Sequence, residues 1–277
     1  MLKSFFIKFI NNLIKPHQIP IKIFDKINYF LKSINYNKNS FEKEQNNIFK
    51  HYALDREEGI RYLNQIKKKL DMTLNLNRGM SSEHEVIFSS LSISKNRPII
   101  NILEIGTFDG FNALLLSNLF PNSNIDTIDL PENEEDFINF YNRKDKVNDF
   151  LRDRNNTLSK NKNINFLPLN SLKLLNYTKK YDLIWIDGAH GYPTVCIDII
   201  NSLHILNKNG LILCDDVHLN LNQIKSDRMY DSIAPYETLN ELKKQNLIEF
   251  KLVYKRLQTK ENCLEKKRKF IAIVNKI

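Results

Sequence analysis

Asp187, His190, Asp215 and Asp216 are the residues of this sequence whose types and spacing could do chemistry. Two apolar strand candidates, residues 182–186 and 211–213, each run directly into acid: Asp187 after the first, Asp215 and Asp216 after the second. A helical segment lies between them, so the stretch 181–218 has the pattern of a βαβ unit. Neighbouring parallel strands then present three carboxylates and an imidazole at one sheet edge, where ligands of open α/β sheets bind. His190, three residues beyond Asp187, has the chemistry of a general base that takes a proton from a hydroxyl. The plainer alternative is a loop histidine that only caps or hydrogen-bonds. His218 is a second candidate base. For the acids the plainer alternative is a helix cap at Asp187 and a solvated turn at Asp215 and Asp216; three acids at adjacent strand ends argue against it.

A second group precedes the first. The turn Glu104-Ile105-Gly106-Thr107-Phe108-Asp109-Gly110 joins an earlier strand to a helix. A dinucleotide fingerprint would read GxGxxG, its glycines cradling a pyrophosphate. Here there are only Gly106 and Gly110, with an acid two residues before the first. A carboxylate there repels a pyrophosphate and can bind an ammonium group. Asp129, at the end of the following strand, can take both hydroxyls of a ribose. A ligand with a ribose, an amino-acid head and no phosphate is S-adenosylmethionine. The alternative is that Gly106 and Gly110 only permit tight packing of strand on helix.

The elements that must position these groups alternate. Residues 98–105, 125–130, 163–169, 182–186, 211–213, 248–257 and 270–274 read as strands. Helical patterns fall at 111–120, 194–206 and 237–244, and a polar helical region covers 131–160. Ahead of them, 55–74 and 81–91 read as helices joined by a turn at 77–80. This predicts an α/β, Rossmann-like, doubly wound seven-stranded sheet with an antiparallel edge strand and an N-terminal helical extension. The expected division is 1–75 for the extension and 76–277 for the sheet domain.

With 277 residues, 42% hydrophobic and 26% charged, the chain has material for a full core. The net charge of +9 admits nucleic acid, an anionic membrane or an acidic substrate as partner. Lys and Asn recur throughout, however, without a focused patch. Cys196, Cys214 and Cys263 form no CxxC, which suits a reducing, cytoplasmic compartment. No apolar run approaches the roughly 18 residues of a membrane span. Residues 1–15 form a short basic amphipathic pattern ended by Pro16, read as a helix laid on the domain or a partner subunit, or as a membrane-surface contact.

LEIGTFDGFNALLLS, IDTIDL and YDLIWIDGAHGYPTVCIDIINSLHILNKNGLILCDDV together resemble the class I S-adenosylmethionine-dependent methyltransferases. The similarity is greatest to the small-molecule O-methyltransferase branch of catechol, caffeoyl-CoA and macrocin types. It covers residues 80–217, is only topological for the last two strands, and is absent over 1–50. By resemblance, Glu104, Gly106, Thr107 and Gly110 hold the methionine end of the cofactor and Asp129 the ribose. Asn170 and Ser171 lie near the adenine, although many relatives have Asp where Asn170 stands. Met80 and residues 81–85 resemble a lid over the cofactor. Asp187, Asp215 and Asp216 occupy the positions through which this branch binds a divalent cation such as Mg²⁺, with Asp187 serving cofactor and metal together. A histidine at the place of His190 acts as base in macrocin-type relatives. Trp185 reads as strand core, and Tyr192 as lining cofactor or substrate.

The resemblance implies metal-assisted methylation of a small-molecule or saccharide hydroxyl, with homo-oligomerisation allowed and nucleic acid not expected as a partner. Two other readings remain open at this point. One is an RNA or protein methyltransferase using the basic charge; the other is a non-catalytic S-adenosylmethionine-binding interaction protein.

Overall fold

The computed structural model describes residues 27, 30–31, 38–72, 76, 81–139, 146–219, 232–257 and 268–277. The amphipathic pattern of 1–15, the turn at 77–80 with Met80, and Cys263 lie outside the described residues. Among the described residues, no helix is long and apolar enough to cross a membrane.

Helices α1 (Lys38–His51), α2 (Arg56–Lys69) and α3 (Glu83–Ile93) precede the sheet. Asp55 starts α2 by accepting the Glu58 N–H at 2.9 Å, which satisfies one orphan donor of the first turn. Then β1 (Asn101–Ile105), α4 (Phe111–Leu119), β2 (Asn124–Asp129), α5 (Glu135–Asn139), α6 (Val147–Leu158) and β3 (Ile164–Pro168) follow. A 3₁₀ turn (Ser171–Asn176) leads into β4 (Tyr181–Ile186), α7 (Thr194–Ile205) and β5 (Leu206–Val217). The chain closes with α8 (Ala234–Lys244), β6 (Ile248–Tyr254) and β7 (Phe270–Lys276).

The seven strands form one sheet in the order β3-β2-β1-β4-β5-β7-β6. β1 to β5 are mutually parallel, and β7 enters antiparallel between β5 and β6. From β1 the chain winds outward to β3 and then returns to wind the other way through β4. The strand order therefore switches between β1 and β4, and the crevice beyond their carboxyl ends is where such sheets take ligands.

Strand alternation divides the core between the two faces of the sheet. Leu103, Ile105, Ile184, Ile186, Ile212 and Cys214 pack with Val195 and Ile199 of α7 and Leu239 of α8. Ile102, Leu183, Trp185, Leu211, Leu213 and Ile273 pack on the opposite face with Phe49, Leu63, Phe88 and Leu115. Helices α1 and α2, which fall within the expected N-terminal extension, share this second core with the sheet. Gln45 of α1 also closes the edge of β6. Its amide accepts the Tyr254 N–H at 2.8 Å and donates to the Tyr254 carbonyl at 3.2 Å, supplying groups that an edge strand lacks.

One boundary differs in a way that matters for the site. The strand expected at 211–213 extends over Leu206–Val217, because Leu206 already pairs with Tyr181 and the polar run 207–210 is carried as an irregularity in the β4–β5 ladder. Asp215 and Asp216 are therefore part of β5 rather than the loop beyond it.

Candidate active site

A cavity of about 310 Å³ lies at the switch point. Asp129 and Leu130 border it after β2, Gly106 and Phe108 after β1, and Asp187 and Gly188 after β4. Asn170, Ser171 and Leu172 wall the far side. Asp129 is fixed by two backbone donors: Phe108 N–H at 3.0 Å on Oδ2 and Leu130 N–H at 2.8 Å on Oδ1. A carboxylate at the end of this strand is placed to meet ribose hydroxyls. Asn170 Oδ1 accepts the Leu172 N–H at 3.1 Å and caps the 3₁₀ turn.

The acidic walls are Asp129, Asp136, Asp187 and Asp198, and no Lys, Arg or His stands among the described lining residues. Such a lining suits a ligand carrying positive charge and opposes a pyrophosphate. Asp198 was not anticipated, since it lies inside a helix whose pattern gives no hint of a ligand. Burial pushes its carboxyl up to about 6 against a hydrogen bond from Ser171, and its Oδ1 has no hydrogen-bond partner among the described residues.

Glu104, Thr107 and Gly110, expected at the methionine end, are not among the residues that line this cavity. The Glu104 side chain points away from Leu103 and Ile105, toward the first turn of α4. There Oε1 accepts from Asn112 Nδ2 at 2.7 Å and Oε2 from Thr127 Oγ1 at 2.5 Å. Thr107 Oγ1 lies 2.6 Å from Thr127 Oγ1. Burial raises the Glu104 carboxyl to about 7, offset in part by Thr127 and Asn112. These groups brace the turn from behind. Gly110 (φ 78°) packs on α6, where a Cβ would stand 2.9 Å from Leu158 Cδ2.

Next to the cavity lies the acidic cluster, and Asp187 belongs to both. Asp187 Oδ1 is 3.6 Å from His190 Nε2. Burial and the Asp215 charge push the Asp187 pKa well above the usual carboxylate range. His190 Nε2 lies 4.0 Å from Asp216 Oδ2, and its ring is buried. Burial lowers the His190 pKa despite the pull of Asp216 and Asp215, so the ring is neutral at pH 7 and able to accept a proton.

Residues 103–217 match the family model for a methyltransferase domain. That stretch of the chain is a methyltransferase domain. No curated protein matches the chain. Among solved structures, the methyltransferase is similar to cofactor-bound Rv0187 from MTB at 13% identity and a TM-score of 0.48, covering 78% of this chain and 88% of that one. It is similar to SAH-bound methyltransferase PaMTH1 from Podospora anserina at 14% identity and 0.46, covering 87% and 97%. It is also similar to the O-methyltransferase TomG from Streptomyces achromogenes at 14% and 0.44, covering 84% and 97%. These likenesses are distant, and nothing about the reaction follows from them.

The methyltransferase departs from expectation at the place reserved for a divalent ion. Lys255, directly after β6, inserts its ammonium between Asp215 Oδ2 and Asp216 Oδ1, at 2.5 Å from each. Lys269 Nζ reaches Asp216 Oδ2 at 3.2 Å. A β-bulge makes this geometry available. Cys214 pairs with Ala272 and Val217 with Phe270, so Asp215 and Asp216 together oppose the single residue Ile271. Asp216 adopts φ 48°, and both side chains turn to one ammonium instead of alternating. Burial alone would raise the Asp216 pKa, but Lys255, His190 and Lys269 hold it well below the usual range. Burial would likewise lower Lys255, and the paired carboxylates keep it above its ordinary value. As they stand, Asp215 and Asp216 are occupied by a lysine and do not fit a bound Mg²⁺. Among the described residues, no group of three or more His, Cys, Asp or Glu is arranged to hold a metal.

The remaining site residues of the methyltransferase fall on structural duties. In the segment likened to a lid, Glu83 is ion-paired with Arg56 at 2.7 Å and Glu85 with Lys67 at 2.7 Å, while the His84 ring stacks on Trp185 with centroids 4.9 Å apart. Trp185 is buried strand core. Tyr192 is 72% exposed and is not part of the cavity wall. His218 is buried beside β5.

Proposed function

We propose that the methyltransferase methylates a hydroxyl oxygen of a small molecule or saccharide in the cytoplasm, with His190 as general base. The observation that carries this reading is the position of Asp187, which lines the cavity and also faces His190 across 3.6 Å. A ligand in the cavity and an acceptor at the cluster would then be separated by one side chain.

When bound, S-adenosylmethionine would supply a sulfonium methyl open to in-line attack by an oxygen nucleophile, with S-adenosylhomocysteine as the leaving group. The chain's own residues would do the rest. Asp129, held by the Phe108 and Leu130 N–H groups, would accept the ribose hydroxyls. Asn170 and Ser171 would flank the adenine, and the acidic walls would favour the cationic end. Gly106 and Asp187 would bound the methionine end, in place of the braced Glu104. His190, kept neutral by burial, would take the acceptor's proton as its oxygen becomes nucleophilic, a contribution of about 10²–10⁴ in rate. The reading uses no divalent ion, because Lys255 is seated between the carboxylates that would hold one.

The test is transfer of label from methyl-labelled S-adenosylmethionine to a panel of sugars, phenols and amines. Label on hydroxyl acceptors, lost in His190→Asn, is the expected result. Label confined to amines would remove the O-methylation reading and leave the methyltransferase assignment intact.

A further inference from the structure

Buried carboxylates demand a compensating charge, since leaving one unpaired costs several kcal/mol. At the end of β5 that charge is supplied by the chain itself. The Lys255 side chain is 10% exposed and its ammonium is shared between Asp215 and Asp216. Its backbone is fixed as firmly as its head. Lys255 N–H donates to the Lys269 carbonyl at 2.9 Å, and the Lys255 carbonyl accepts the Glu83 N–H at 3.0 Å. The preceding residue, Tyr254, is clamped by Gln45. Glu83 is itself held by the buried guanidinium of Arg56. This lysine is therefore anchored from both edges of β6 and is not a surface side chain that happens to lean inward.

We propose that Lys255 is the resident cation of the acceptor site: its ammonium takes the place between Asp215 and Asp216 that a divalent ion would need, so the site binds no divalent metal and methyl transfer does not depend on one. An ammonium has three N–H donors, and the two carboxylates take two of them. The third is left to orient an acceptor oxygen. A single positive charge acidifies a hydroxyl far less than a coordinated divalent ion does. That places the proton on a separate base, which is the role given to His190. The orienting half of this proposal rests on the O-methylation reading; the exclusion of metal does not.

Mn²⁺ binding, followed by electron paramagnetic resonance on the full chain, tests the exclusion without any turnover. The wild type is expected to take up no Mn²⁺ at this site, and Lys255→Arg, which keeps the charge, to behave the same way. Lys255→Met is expected to gain one bound Mn²⁺ that Asp215→Asn in the same chain abolishes. Wild-type Mn²⁺ binding that Asp215→Asn or Asp216→Asn removes would overturn the proposal, and that comparison stands even if Lys255→Met does not fold. A folded Lys255→Met that gains no Mn²⁺ would overturn it as well. On the activity side, chelator should leave wild-type transfer unchanged, and a loss beyond about tenfold would contradict the proposal. Failure to methylate any hydroxyl would instead strike the functional reading and leave the Mn²⁺ result standing.

Discussion

Gly106 lies so close to Asp187 that a Cβ on the glycine would collide with the Asp187 carbonyl oxygen and come within 2.8 Å of its carbon. The contact seals the turn after β1 against the loop after β4, helped by Asp187 N–H donating to the Ile105 carbonyl at 2.9 Å. Gly106 also has φ 105°, a conformation that L side chains rarely adopt. Gly106→Ala should therefore destabilise the protein by about 2 kcal/mol or more and displace Asp187. Chemical denaturation of the variant checks this; an unchanged midpoint would show that the seam can relax.

Glu104 should make stability depend on pH near neutrality. Its folded pKa of about 7 lies above the ordinary 4.5, so its charged form is disfavoured in the fold. The contribution is fully present below pH 4.5 and is lost as pH rises toward 7, a span worth roughly 3 kcal/mol. Glu104→Gln should flatten that part of the profile and still fold, because Asn112 Oδ1 has no hydrogen-bond partner among the described residues and can receive the new amide. Urea midpoints measured across this range, for both proteins, make the comparison.

His84 works in the opposite direction. Burial lowers its pKa to about 3, so its contribution is present above pH 6.5 and is lost as pH falls toward 3. Below pH 4.5 Glu104 is protonated in both states and no longer varies. His84→Phe keeps a ring over Trp185 and should lose less stability in acid than the wild type. Thermal melts at pH 5 and below, taken with pH 7 as reference, would show the difference; equal losses would count against it.

His190 should set the acid limb of the rate. Burial places its pKa below the ordinary 6.5, and the base works only when neutral. Turnover should hold as pH drops through 6.5 and fall only below it. His190→Asn should lose about a hundredfold or more and the limb with it. A limb at or above pH 6.5 would point to another base.

Much of this site was legible in the sequence because the strands announce themselves. Apolar runs ending in Asp129 and Asp187 gave both the parallel strands and the positions of two carboxylates at the switch point. The partners of those carboxylates were not legible. Lys255 is one of 41 Lys and Arg residues, and it reaches Asp215 across 40 positions through a strand pairing that no local pattern encodes. The bulge at Asp215 and Asp216 was equally silent, since only the register against β7 reveals it. The partners of Glu104 were silent too: motif spacing fixes where a residue sits on a strand, but only the fold brings Asn112 and Thr127 to its carboxylate. Asp198 was hidden by an otherwise apolar helix face.

The account stands most directly on S-adenosylmethionine lying in the cavity with its ribose on Asp129. Isothermal titration calorimetry with S-adenosylmethionine on the wild type and on Asp129→Ala tests this without knowledge of the acceptor. The account predicts stoichiometric binding to the wild type, weakened by about tenfold or more in the variant, as expected when charge-assisted hydrogen bonds are lost. Wild-type protein that takes up no cofactor, or a variant that binds it equally well, would contradict the account.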